Sequence, residues 1–127
     1  MTADERPPIA VGHVSLRVAD VAASVEFFAT LGLRTIMQRE GMAILELRGG
    51  THLLLFRAKG KPRSGPLRSF DFMVDDVDTI RQDLIRSGLE PTSLAEDELG
   101  GHRYFQLSDP DGHILTVYSS HVEGRVV

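Results

Sequence analysis

Several things are missing from this 127-residue chain, and each absence removes a class of chemistry. It has no cysteine, so disulfides, thiolate nucleophiles and zinc–thiolate sites are excluded. No apolar run approaches the roughly 20 residues of a membrane span, and the polar start MTADERPP does not resemble a signal peptide. A basic excess is also lacking: the formal net charge is −4, which argues against nucleic acid or an anionic membrane as partner. Neither Gly49-Gly50 nor Gly100-Gly101 has the spacing and lysine of a phosphate-binding loop. No nucleophile-elbow sequence supports a triad built from His13 with Ser15, Ser69 and Asp71. A cytoplasmic single domain over residues 1–127 is the expectation, and dimerisation would help so small a core.

What is present is a repeat. GHVSLRVADVAASVEFFATLGL and LRSFDFMVDDVDTIRQDLIRSGL align without a gap at an offset of 56 residues. The offset pairs Val18 with Val74, Asp20 with Asp76, Val21 with Val77, Gly32 with Gly88 and Leu33 with Leu89. In both copies an alternating strand leads to an aspartate suited to cap a helix, then a helical apolar stripe, then a glycine suited to end it. Further strand candidates follow in each half: RTIMQRE, MAILELR and HLLLFR, then PTSLAE, RYFQLSD and HILTVYS. Each half therefore reads βαβββ. Module one spans about residues 9–57, a Gly/Pro-rich linker about 58–67, and module two about 68–119. The terminal residues outside these modules are expected to be frayed or dimer-contacting arms.

Two tandem βαβββ modules, opened by HVSLRVADVAASVEFF and closed by DPDGHILTVY, resemble the vicinal oxygen chelate superfamily. That group includes glyoxalase I, extradiol dioxygenases, fosfomycin-resistance thiol transferases and bleomycin-resistance proteins. The resemblance covers about residues 9–119 and implies an α+β fold. Its curved mixed sheet would surround a pocket, with helices outside, and would commonly be built as a dimer.

Strand alternation divides the side chains into two faces. Val14, Leu16, Val18, Leu53, Leu55, Phe70, Phe72, Val74, Leu115 and Val117 form a wholly apolar face expected under the helices. The opposite face holds His13, Ser15, Arg17, His52, Leu54, Phe56, Ser69, Asp71, Met73, Ile114, Thr116 and Tyr118. A dry core would not hold that mixture, whereas an apolar-walled small-molecule site would. The expected ligand contacts are therefore His13, Ser15, Arg17, His52, Leu54, Phe56, Ser69, Asp71, Thr116 and Tyr118.

Metal-dependent members of the superfamily take ligands from four positions, which the resemblance maps onto His13, Leu54, Ser69 and Thr116. Only His13 is a good ligand, so no metal cofactor is expected at the usual site. The alternative is one divalent ion (Zn, Ni, Mn or Fe) on a displaced triad of His13, His52 and Asp71. Each two-residue step along a strand moves a side chain roughly 6–7 Å, which weighs against that triad. His102, His113 and His121 read as surface histidines. The basic segment 57–69 reads as a solvated loop and the acidic segment 95–101 as a mobile loop, with a lip or lid over the pocket as the lesser alternative for each.

The leading expectation is a small-organic-molecule-binding protein, homodimeric and metal-free, with a sequestration, resistance or sensing role. The alternative is a glyoxalase-like lyase, isomerase, thiol transferase or dioxygenase. It would use an atypical metal or metal-free acid–base catalysis, with His13 and Asp71 as candidate catalytic groups. A third option is an assembly module with a filled interior.

Overall fold

The computed structural model describes residues 5–97 and 101–120. Among these, β1 (His13–Val18), α1 (Val21–Leu31), β2 (Arg34–Gln38), β3 (Met42–Glu46) and β4 (His52–Arg57) make the first half. Then come β5 (Gly65–Pro66), β6 (Phe72–Val74), α2 (Val77–Arg86), β7 (Ala95–Asp97), β8 (His102–Ser108) and β9 (His113–Ser119). The first sheet runs β1-β4-β3-β2, with β1 parallel to β4 and the other pairs antiparallel. The second has the same plan: β6 lies parallel to β9, followed by β8 and β7 antiparallel. It carries one addition. Gly65–Pro66, inside the segment expected to be plain linker, pairs with the start of β9.

The repeat is visible atom by atom at the helix ends. The Asp20 carboxylate accepts from the Ala23 amide at 3.2 Å, and the Asp76 carboxylate accepts from the Thr79 amide at 3.0 Å. Each thus satisfies one of the free donors that begin every helix. Gly32 (φ +111°) then takes the left-handed conformation that closes α1, and Gly88 (φ +88°) follows α2 in the same way.

Both helices pack on one side of the sheets. The core beneath them includes Leu16, Val18, Phe28, Leu45, Leu53, Leu55, Val77, Leu84, Phe105, Leu115 and Val117. It is continuous across the two halves: Phe28 of α1 meets Phe72 of β6 at 6.2 Å between ring centroids. The Ala19 amide also donates to Asp111 Oδ2 at 3.1 Å, and Arg48 pairs with Asp75 at 3.0 Å. Val14 of β1 and Phe72 of β6 pack against the same core and line one groove between the two sheets of this α+β fold.

Candidate functional site

The face away from the helices carries the polar side chains. On β1, His13, Ser15 and Arg17 are exposed, while the alternating Val14 is half-buried and Leu16 and Val18 are buried. In-register pairing places His13 beside His52, Ser15 beside Leu54 and Arg17 beside Phe56. The two imidazoles stack, with centroids 5.7 Å apart and planes 26° apart. Next on the same rung is Glu46, opposite His52, and Glu46 is held by Arg34 at 2.7 Å. The Arg17 guanidinium lies 6.0 Å from the Phe56 ring centroid. Apolar wall between these rungs comes from Leu54, Ile44 and Met42.

The second sheet presents a different surface. Its central rung runs Met73–Tyr118–Tyr104–Ala95 across four strands. The tyrosine rings lie 5.4 Å apart, and His102 meets Tyr118 edge-on, also at 5.4 Å. His102 Nδ1 is hydrogen-bonded to the Ser119 carbonyl at 2.6 Å. On the neighbouring rung, the Gln106 amide donates to Thr116 Oγ1 at 3.3 Å. Burial, then the negative charges of Asp71 and Asp97 and the nearby Tyr104, pushes the Tyr118 phenol above its usual 10.0.

Sequence reasoning missed three members of this face. Tyr104 and Gln106 alternate with buried Phe105 and Leu107, so period-2 reading of RYFQLS would have found them. His102 was expected to be a surface loop histidine, but it opens β8 and is half-buried on this face. The expected residue Ser69 is exposed and precedes β6, and Asp71 is exposed just before that strand.

A groove of about 990 Å³ runs between the β1 and β6 edges. Val11, Val14, Leu47, Phe70 and Phe72 line it, together with Asp71 and Met73 from the polar-bearing face. It contains neither of the stacked histidines. The groove and the β-sheet face meet at Asp71 and Met73, and the expected ligand contacts are spread beyond it.

The four positions that the resemblance assigns to a metal offer one imidazole, two hydroxyls and a hydrocarbon. That donor set does not fit an ion held by imidazoles and carboxylates. Among the described residues, Asp109, Asp111 and His113 form a group with ligand atoms all within 4.8 Å of one another, so a divalent ion is possible there. His13, His52 and Asp71 do not make such a group. The side chains of the Asp109 turn already have work within the fold. Asp109 Oδ1 accepts from the amides of Asp111 (3.0 Å) and His113 (2.8 Å), and its Oδ2 meets His113 Nδ1 at 2.8 Å. His113 is therefore no surface histidine: it is 6% exposed, because its alternate position on β9 points under the helices. His121 lies outside the described residues.

The sequence model of the Glyoxalase/Bleomycin resistance protein/Dioxygenase superfamily matches residues 10–117. The chain belongs to this superfamily. Solved structures agree with that fold. The chain is similar to a lactoylglutathione lyase from Agrobacterium tumefaciens (21% identity, TM-score 0.74, 94% of this chain and 100% of that one). It is similar to the oxidase ChaP-H2 (23%, 0.71, 94% and 100%). The bleomycin resistance determinant encoded on transposon Tn5 is a further relative in shape (20%, 0.69, 90% and 100%). Among curated proteins no match is found. A lyase, an oxidase and a resistance determinant at nearly equal distance show that this superfamily fold does not select a chemistry.

Proposed function

We propose that the chain is a small-molecule-binding member of the superfamily that acts without the superfamily's usual metal site. Its role would be sequestration, resistance or sensing, as a cytoplasmic homodimer. The carrying observation is the mixed sheet face, where exposed His13, Ser15, Arg17 and Asp71 sit beside Leu54, Phe56, Ile114 and Met73. Such a surface combines apolar wall with a few orienting polar groups. In this reading His13, His52, Thr116 and Tyr118 exchange hydrogen bonds with the ligand, Arg17 or Asp71 pairs a charged group, and Ser15 and Ser69 border the site.

A second reading is a glyoxalase-like lyase, thiol transferase or dioxygenase, and a separate observation favours it. The His13–His52 stack puts two imidazoles on the open face, where either can accept or donate a proton. Asp71 is the other candidate acid–base group.

Metal analysis of the purified protein, with thermal-shift screening against small metabolites and antibiotics, tests the choice. The binding reading expects less than stoichiometric transition metal and a ligand-dependent rise in Tm. About one tightly held ion per chain, lost in His13→Ala or His52→Ala, would overturn it in favour of the enzyme.

A further inference from the structure

We infer that the second sheet's open face recognises an organic cation, an alkylammonium or quaternary ammonium group, through Tyr104, Tyr118 and Asp71. This deepens the binding reading above and rests on it. The argument begins with the central rung. Tyr104 and Tyr118 sit side by side at 5.4 Å with their planes 47° apart, so the rings form a shallow angled platform. Met73, 46% exposed, continues that rung on β6, and His102 meets Tyr118 edge-on from the other side. Three rings and a thioether, all half-buried or exposed, make a soft and polarisable surface.

A tyrosine pair across two strands is an ordinary way to stabilise a sheet. The Asp71 carboxylate has no such explanation. Asp71 is exposed beside Met73, and among the described residues its carboxylate has no hydrogen-bond or ion-pair partner. The nearest arginine on β8, Arg103, points to the other side, where Asp78 takes it at 2.7 Å and 3.1 Å. Arg48, on the groove, is held by Asp75. The face thus combines aromatic π-surfaces with the Asp71 carboxylate, unpartnered among the described residues, and these two features together favour a weakly hydrated cation over a neutral or anionic group.

The groove adds a direction. Asp71 and Met73 belong to both the platform and the groove of about 990 Å³, whose wall includes Val11, Val14, Leu47, Phe70 and Phe72. A cationic head on the tyrosines would leave an apolar substituent free to follow that wall. The molecule recognised is accordingly a cation with an apolar part, not a bare metal ion.

The chain contains two tyrosines and no tryptophan, so its intrinsic fluorescence comes from this platform alone. The full-length protein would be titrated at constant ionic strength with choline and with its neutral isostere 3,3-dimethylbutan-1-ol, to about 50 mM to cover millimolar affinities. A saturable tyrosine change with choline, at least about fivefold weaker with the isostere, is expected. Asp71→Asn should weaken choline by a similar factor, and Asp78→Asn on the opposite face should not. Equal binding of choline and isostere would overturn the cation assignment and leave the small-molecule pocket standing. No saturable response to choline, with a hit for neutral compounds in the thermal-shift screen, would overturn it as well. Only a silent titration combined with a silent screen would remove the underlying binding reading.

Discussion

Asp109 belongs to the candidate metal group with Asp111 and His113 and also fastens its own turn. Its side chain is fully buried, accepts from two backbone amides and meets the His113 ring. Buried donors left without their acceptor carry the full desolvation penalty, and a carboxylate sharing three contacts removes three at once. Asp109→Ala should therefore lower stability by about 2–4 kcal/mol in urea denaturation. Addition of a chelator should leave the wild-type Tm unchanged. A Tm that rises with added divalent ion, and no longer does so in His113→Ala, would instead make this turn a metal site. The neighbouring Gly112 (φ +81°) is tied to the same turn: a Cβ there would approach the Ser64 Cβ to 3.3 Å. Glycine thus lets the loop before β5 close over the start of β9.

At the scale of elements, the two helix starts share a device. Asp20→Ala removes an accepting carboxylate from α1 and should cost about 1 kcal/mol, read as a fall in the urea midpoint. Asp76 receives hydrogen bonds from both the amide and the hydroxyl of Thr79, which hold its carboxyl below the usual 3.8. A carboxyl lowered in the folded state stabilises above its unfolded value and loses that contribution as pH falls through the folded one. Asp76→Asn keeps a capping oxygen and removes the titration. Its Tm should accordingly fall less steeply than wild type between roughly pH 5 and pH 2, followed by circular dichroism. A parallel decline would show that the α2 cap takes no part in acid unfolding. These caps were readable directly from the aspartates and glycines of the repeat, because cap chemistry depends on three or four neighbouring residues.

At the scale of the whole molecule, contacts join the two halves. Phe28 is fully buried and touches Phe72 across the junction, so truncation opens a cavity shared by both halves. Phe28→Ala should cost about 3–5 kcal/mol. Both tyrosines lie in the second sheet, whereas Phe28 lies in the first half, so tyrosine fluorescence reads the far side of the mutation. The fluorescence and far-ultraviolet dichroism transitions should shift together; a fluorescence transition left in place would mean that the halves unfold separately. The two helices, most of the strands and the buried stripe follow from local patterns of period 2 and 3.6 together with the repeat, but the Gly65–Pro66 strand lies in the expected linker and β7 falls on Ala95–Asp97, at the end of the expected PTSLAE. Local pattern has no reach beyond its own element. It could not say that His13 and His52 would stack, because their contact depends on the parallel register of β1 against β4. It left His113 at the surface although β9 turns it under the helices, and it overlooked that β8 adds Tyr104 and His102 to the Tyr118 rung. Element type follows from neighbours along the chain, while a site is assembled from residues that only strand pairing and sheet curvature bring together.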